Sequence, residues 1–202
     1  MKKTLISGLA LAGLLATTAS VQAADYVIDT KGAHASINFR VNHLGTSWLL
    51  GRFNDFKGDF SYDSANPDAS VVNVEIDTKS IDSNHAERDK HLRGEDFLNV
   101  KEYPKASFAS TGFKSNGNGT AELTGDLTLH GVTKSITIDV SKVGEGKDPW
   151  GGYRAGFEGT TELKLKDFGI NYNLGPLSET VYMDLHVEEI GRASCRERVS
   201  QT

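Results

Sequence analysis

The stretch LTGDLTLHGVTKSITIDV, residues 123–140, alternates between apolar and polar side chains on both sides of a short turn. Before the turn, Leu127 and Leu129 are separated by a threonine. After it, Ile136, Ile138 and Val140 are separated by a threonine and an aspartate. A period of two is typical of a β-strand with one buried and one solvated face, and the glycine between the runs is typical of a turn. The stretch therefore predicts two antiparallel strands with a shared apolar face.

The same alternation recurs along the chain, at residues 37–41, 72–76, 163–165 and 181–187. Turn-forming segments separate the runs, among them SANPD, SNGNGT and EGKDPWGG. Eight or nine short strands without alternating helices predict an all-β antiparallel meander. Closing such a sheet removes its exposed edges, and about eight strands enclose room for side chains or one small ligand. We therefore expect a single antiparallel eight-stranded barrel, with a two-sheet sandwich as the alternative architecture.

Aromatic residues and glycines recur within or beside these strands. The aromatic side chains expected to supply the interior are Phe39, Trp48, Phe53, Phe56, Phe60, Phe108 and Phe157. The glycines are Gly51, Gly58, Gly112, Gly125 and Gly159. Glycines in strands are typical of bends and bulges, and they also leave room for a ligand. The pattern alone leaves both interpretations open.

The segment SIDSNHAERDKHLRGEDFLNV, residues 80–100, interrupts the alternation with charged residues. We expect a short helix from about residue 85 to 93, capped by Ser83 or Asn84, with Glu87 completing a capping box on Asn84. Spacings of four predict ion pairs within the helix, with His85 over Asp89 and Glu87 over His91. The apolar patch of Leu92, Phe97 and Leu98 must rest on another apolar surface. The mouth of the barrel is the expected surface, which makes residues 83–98 a helical lid.

Two chemical interpretations of this segment are disfavoured by residue spacing. His85 and His91 are six residues apart, on opposite sides of a helix, so a metal site is less favoured than a solvated charged face. A serine hydrolase would need a Gly-x-Ser-x-Gly elbow, which the chain lacks. The neighbouring Glu95 and Asp96 point apart on a helix and cannot act together across a scissile bond. No catalytic residue and no metal ligand are therefore assigned.

The two ends of the chain differ from the body. Residues 1–23 combine a basic start, an apolar middle and the small-residue end VQA, which predicts a signal peptide cut before Ala24 and export to a periplasm. Residues 191–202, GRASCRERVSQT, lack periodicity and are rich in arginine, and we interpret them as a non-native or read-through tail. The single cysteine, Cys195, lies in that tail. The predicted domain, residues 24–190, therefore has no disulfide and no thiolate metal site.

The charge balance restricts the partners. The whole chain has a formal net charge of −5. The predicted domain has about −9, because two lysines, three arginines and one glutamate lie in the leader and the tail. Such a balance argues against nucleic acid, whose phosphates require a basic face, and against tight binding to anionic lipid. No segment after residue 23 is long and apolar enough to span a bilayer, so no stable membrane insertion is expected. A small or largely apolar partner is expected, and the sequence leaves a homodimer open.

Six segments, in this order and spacing, resemble the YceI-like family of periplasmic polyisoprenoid-binding proteins over essentially the whole predicted domain. They are AHASINFRVNHLG (33–45), GRFNDFKGDFSYD (51–63), residues 80–100 quoted above, YPKASFAST (103–111), residues 123–140 quoted above and DPWGGYRAGFEGTTELKLKDFGI (148–170). The resemblance implies a lipocalin-like barrel that takes a long isoprenoid or alkyl chain into its cavity. It implies a binding protein and not an enzyme.

With this resemblance, the expected ligand is an isoprenoid quinone or a polyprenyl lipid, held for transport, storage or sequestration, and no other cofactor is expected. The expected apolar lining is Phe39, Trp48, Phe53, Phe56, Phe60, Leu92, Phe97, Leu98, Phe108, Leu127, Leu129 and Phe157. The expected polar contacts at the mouth are His43, Arg88 and Asp89. Two alternatives stay open: an enzyme acting on such a lipid, with His43, His85 or His91 as general base, and a structural or interaction barrel filled by its own side chains.

Overall fold

A computed structural model describes residues 24–191, which form eleven strand segments and one short α-helix. The strands are β1 (Ala24–Ile28), β2 (Ser36–His43), β3 (Ser47–Phe53), β4 (Phe56–Tyr62), β5 (Val71–Asp77), β6 (Ile81–Asp82), β7 (Lys105–Ser115), β8 (Thr120–Leu129), β9 (Val132–Lys147), β10 (Tyr153–Lys164) and β11 (Thr180–Gly191). Helix α1 (Ala86–Leu92) lies between β6 and β7. The predicted signal peptide and residues 192–202 of the predicted tail lie outside the described residues.

The strands close into an eight-stranded antiparallel barrel, as predicted. The ring runs β1-β4-β5-β7-β8-β9-β10-β11, and β11 pairs with β1 to complete it. The predicted hairpin of residues 123–140 is β8 and the first half of β9, with Leu127 opposite Lys134 and Leu123 opposite Ile138. Closure leaves no free edge in this ring, which is the physical reason why a barrel was expected.

Three strand positions of the barrel are broken into two segments each. β11 pairs with β2 through residues 181–186 and with β1 through residues 189–191, so β1 and β2 continue one another along the same neighbour. β3 and β4 are related in the same way, because β3 pairs with β2 and β4 pairs with β1. β5 and β6 share the next position, because β5 pairs with β4 and β6 pairs with β3. Eleven segments therefore occupy eight positions around the barrel.

The two ends of the barrel differ. One end of the barrel is formed by β1 and by the last residues of β4 and β11. Aromatic side chains pack together there, and the centroid of the Phe157 ring lies 5.3 Å from those of Phe60 and Tyr62. Tyr26 joins this cluster and is only 4% exposed. We call this end the blind end. The opposite end, covered by α1, is called the mouth.

At the mouth, α1 and the chain after it cover the gap between β6 and β7. The Arg93 side chain donates hydrogen bonds to the backbone carbonyls of Lys79 (2.8 Å) and Ile81 (2.5 Å), which satisfies acceptors at the unpaired edge of β6. Thr78 is 1% exposed and binds the next segment, since its hydroxyl donates to the carbonyl of Tyr103 at 2.8 Å. The predicted lid is thus attached to the barrel through backbone acceptors.

The N-cap residue of helix α1 lies one or two residues later in the chain than expected. Asn84 has a left-handed backbone (φ 61°), and the N-cap is His85, whose Nδ1 accepts from the backbone N–H of Arg88 at 3.2 Å. The expectation of a Ser83 or Asn84 cap is therefore wrong. Ser83 is instead buried and hydrogen-bonded to Asp89. Within residues 24–191, no helix is long and apolar enough to cross a bilayer.

Candidate ligand-binding cavity

A cavity of about 540 Å³ occupies the barrel and reaches from the lid to the blind end. Its wall contains Arg88, His91 and Leu92 of α1 at one extreme and Glu189 at the other. Val181 and Glu189, both in the wall, are eight residues apart in β11, which corresponds to about 26 Å along the strand. The cavity volume lies in the range of about 300–1,000 Å³ that is usual for small-molecule sites. The interior is therefore hollow, in contrast to the alternative of a barrel filled by its own side chains.

The apolar wall follows from the period-two alternation. Inward residues of β11 are Val181, Met183, Leu185 and Val187, while the residues between them face outward. Eleven of the twelve side chains expected as apolar lining lie in the wall: Phe39, Phe53, Phe56, Phe60, Leu92, Phe97, Leu98, Phe108, Leu127, Leu129 and Phe157. Their contact with a ligand stays a prediction.

Trp48 is the exception, and the structure corrects its expected position. It is 45% exposed on the outer face of β3, because Leu49 and Phe53 take the inward positions of that strand. The Arg40 guanidinium lies 4.5 Å from the Trp48 ring centroid, and Tyr182 meets the ring edge-on at 5.5 Å. Trp48 is thus part of an outer cation–π cluster.

Two glycines keep phenylalanine rings against the wall. The Phe39 ring lies over Gly51, its cross-strand partner, and the Phe108 ring lies over Gly125 of the adjacent strand. A methyl group at either glycine would overlap the ring. At these two positions the glycine has a structural and a functional effect. The missing side chain lets an aromatic ring lie along the wall, and the ring's position leaves the centre of the barrel open for a ligand.

The mouth is lined by His43, Arg88, His91, Tyr172 and Leu174. The rings of His91, Phe97 and Tyr172 pack against one another with centroids 4.9–5.2 Å apart, and we call this group the aromatic clasp. The clasp joins α1 to the chain that follows β10. Tyr172 and Leu174 were not expected in the site, because no alternation or motif marks that loop.

Of the expected polar mouth residues, His43 and Arg88 lie in the cavity wall and Asp89 does not. Asp89 is 7% exposed and faces the chain before the helix, where Oδ1 accepts hydrogen bonds from the backbone N–H of Ser83 (2.8 Å) and from the Ser83 hydroxyl. Arg88 binds the same serine, donating from Nε to its hydroxyl (2.7 Å) and from Nη2 to its carbonyl (2.5 Å). Asp89 therefore anchors helix α1 to Ser83, the first residue of the lid.

The expected ion pairs of α1 do not form in the described structure. His85 caps the helix, and His91 Nε2 lies 3.0 Å from Asp96 Oδ2 instead of pairing with Glu87. Arg88 donates its hydrogen bonds to Ser83. His85 and Arg88 satisfy backbone groups at the helix start, and such hydrogen bonds are stronger than exposed ion pairs.

At the blind end, Glu189 continues the inward series of β11. It is 2% exposed, and within the described residues its Oε2 is buried without a hydrogen-bond partner. Burial raises the pKa of Glu189 to about 9, so the carboxyl is neutral at pH 7. Glu189 is two residues after Val187 and so occupies the next inward position of the strand. The alternation in the sequence could therefore have predicted an acid inside the barrel.

A second group of ionisable residues lies on the outside of the blind end. Ligand atoms of Asp29, His34 and Glu188 lie within 4.8 Å of one another, which is a spacing that a metal ion could bridge. However, Arg154 Nη1 is 3.1 Å from Asp29 Oδ2 and also pairs with Glu188. The pKa of Asp29 is lowered, chiefly by the His34 hydrogen bond and then by the Gly32 N–H. The positive charge is already supplied by arginine, so this group is an ion-pair network that joins the chain just after β1 to β10 and β11.

Comparisons with known proteins agree with this architecture. The YceI-like domain pattern matches residues 26–189. A UPF0312 protein of Shewanella putrefaciens (strain CN-32) is 62% identical over 190 residues, which cover 94% of this chain and 99% of that protein. The crystal structure of the Campylobacter jejuni YceI protein superposes with a TM-score of 0.68 at 28% identity, covering 75% of this chain and 90% of that one.

A more distant likeness concerns the fold alone. A polyisoprenoid binding domain from Saccharophagus degradans superposes with a TM-score of 0.62 at 17% identity, covering 85% of this chain and all of that one. The family match, in contrast, extends over nearly the whole described chain, from β1 to the end of β11. This protein belongs to the YceI-like family.

Proposed function

We propose that this protein binds a long-chain isoprenoid lipid, of the isoprenoid-quinone or polyprenyl type, inside the barrel and carries, stores or sequesters it in the periplasm. The observation that carries the proposal is one apolar cavity continuous from the lid to the blind end. The ligand class is supported by the polyisoprenoid binding domain from Saccharophagus degradans, which shares the fold. The compartment is supported by the leader-like residues 1–23.

The hydrophobic effect supplies enough free energy for such binding. At about 30 Å³ for each water-sized unit, 540 Å³ corresponds to about 18 units. Burying a chain of about 18 carbons gains roughly 14 kcal/mol at about 0.8 kcal/mol for each methylene. The loss of translational and rotational freedom subtracts about 4–15 kcal/mol. The free energy of apolar burial is therefore comparable to this loss or exceeds it, so burial of the chain drives binding without requiring a specific polar contact.

Polar residues at the mouth have a secondary role in this proposal. His43 and Arg88 line the cavity beside the lid, and they contact whichever end of the ligand lies at the mouth. Two of the five N–H donors of Arg88 already serve Ser83, so the arginine links the lid and the ligand. The surface of the cavity between mouth and blind end offers the chain mainly apolar contacts.

A pair of neighbouring substitutions on β11 tests where the ligand binds. Met183 faces the cavity, whereas Asp184 faces the outside. Met183→Trp places a larger side chain in the cavity and is expected to reduce uptake of added geranylgeraniol at least tenfold. Asp184→Trp serves as the matched control and is expected to bind as the unmodified protein does. Circular dichroism confirms that both variants are folded, and equal uptake by the two variants would contradict binding inside the barrel.

A further inference from the structure

Glu189 is a polar group at the blind end for which the described barrel provides no partner. Its register neighbours are Ile28 on β1 and Ala155 on β10, both apolar and buried. The side chain is 2% exposed, belongs to the cavity wall, and has Oε2 buried without a hydrogen bond. A buried polar atom without a partner is costly, so a natural sequence that keeps one at the end of an apolar cavity calls for an explanation.

The chemistry of this carboxyl is set by its surroundings. Burial raises the pKa of Glu189 to about 9 and no cation contributes to the shift, so the group is a neutral acid with one O–H donor and further acceptor sites. The pKa of Tyr26, in the aromatic cluster of the same end, is raised chiefly by burial and to a smaller extent by the charge of Glu189. Lys142, which lies beside Tyr62 of the aromatic cluster, is paired with Glu145 at 2.7 Å. No positive charge is therefore directed at Glu189 by the described residues around it.

We propose that the carboxyl of Glu189 forms a hydrogen bond with an uncharged oxygen-bearing end group of the ligand, a hydroxyl or a carbonyl, so that the ligand lies with this end innermost. The inference rests on the proposed function, because it requires a long apolar chain in the same cavity. A neutral acid complements both groups, since it donates to a carbonyl and both donates to and accepts from a hydroxyl. A phosphate or carboxylate end is excluded from this position, because its charge would be desolvated without a counter-ion.

A matched set of twenty-carbon ligands tests the proposal. Geranylgeraniol ends in a hydroxyl, geranylgeranial ends in a carbonyl, and phytane is a hydrocarbon without oxygen. We expect the unmodified protein to bind the alcohol or the aldehyde about tenfold more tightly than phytane, which corresponds to one satisfied buried polar group. Which of the two oxygen ligands binds more tightly identifies the end group that Glu189 recognises.

Substitutions assign the preference to Glu189. Glu189→Leu is expected to remove the tenfold preference while phytane binds at least as well as before, and Glu189→Gln is expected to keep most of it. Glu162→Gln, on the exposed face of β10, is the control and should change nothing. Equal binding of all three ligands by the unmodified protein, or a preference that persists in Glu189→Leu, overturns the inference and leaves the proposed function standing. Failure of every ligand to bind overturns the proposed function itself.

Photochemical cross-linking tests the orientation independently of affinity. A geranylgeraniol analogue with a diazirine beside the hydroxyl is expected to label peptides from β1 and the last residues of β11. Labelling confined to α1 or to the segment around Tyr172 would place the hydroxyl at the mouth and overturn the inference.

Discussion

Individual residues decide whether the interior of this barrel is open. Gly51 and Gly125 lie beneath the rings of Phe39 and Phe108, and the rings lie along the wall because no side chain stands under them. In a packed core, aromatic rings of this size would interdigitate across the centre. The pairing of a glycine with a phenylalanine therefore keeps apolar surface in the cavity and leaves the volume for a ligand.

We expect Gly125→Ala to destabilise the protein by about 1–3 kcal/mol, because its methyl group overlaps both the Phe108 ring and the backbone carbonyl oxygen of Ala109. Urea denaturation measures the change. Gly144→Ala is the control, since nothing lies within 4 Å of the corresponding position in β9. Combining Gly125→Ala with Phe108→Leu should cost less than the sum of the single substitutions. A penalty equal to that of Gly144→Ala would contradict this role of Gly125.

The pKa of Glu189 makes a prediction about stability and pH. Because the folded pKa is about 9 and the ordinary value is 4.5, the unfolded state loses its proton first as pH rises. The folded state is therefore destabilised progressively between about pH 4.5 and pH 9, by up to about 1.4 kcal/mol for each pH unit. The Gln side chain does not titrate, so the unfolding free energy of Glu189→Gln should lack this decrease. We expect the difference in unfolding free energy between Glu189→Gln and the unmodified protein to increase by about 3 kcal/mol from pH 6 to pH 8. Urea unfolding of both proteins at these two pH values measures it, and a difference that does not change with pH would show that Glu189 is not buried as a neutral acid.

At the scale of elements, the lid is held by hydrogen bonds at Ser83, by those of Arg93 to the carbonyls of Lys79 and Ile81, and by the aromatic clasp. Ser83 receives two hydrogen bonds from Arg88 and donates two to Asp89. The helix has only seven residues and would be unstable alone. Its position over the mouth therefore depends on these contacts and not on helix propensity.

We expect Asp89→Ala to loosen the lid, because it leaves the buried N–H of Ser83 without an acceptor, at a cost of about 1–3 kcal/mol. Hydrogen–deuterium exchange should accelerate in residues 83–98 and stay slow in β8 and β9. Glu87→Ala, on the exposed side of the same helix, is the matched control. Exchange that is unchanged in the lid, or faster throughout the barrel, would show that Asp89 does not act as a local anchor.

The sequence predicted elements better than it predicted individual contacts. The alternation of apolar and polar residues correctly predicted the hairpin of β8 and β9. The charged segment at residues 80–100 was correctly predicted to contain a short helix beside the mouth. Trp48 was grouped with the phenylalanines by residue type, although its position next to Leu49 already put it on the outer face. The role of Asp89 depends on a backbone turn at Asn84 that no period reveals.

At the scale of the whole molecule, closure and hollowness have different origins. Closure follows from the number of alternating strands, which the sequence shows directly. Hollowness depends on which inward side chains lie side by side in the wall, and that is set by pairings between residues far apart in the chain, such as Met183 with Phe39. The volume of the cavity therefore could not be read from composition, whereas the buried acid at position 189 could be found by counting along β11.

The most direct test of the account is to purify the protein from a periplasmic extract, extract it with organic solvent and analyse the organic phase by mass spectrometry. The account predicts a long-chain isoprenoid lipid in close to one copy per protein, or uptake of one equivalent of added isoprenoid by the lipid-free protein. A preparation that contains no long-chain lipid and takes up none would contradict it.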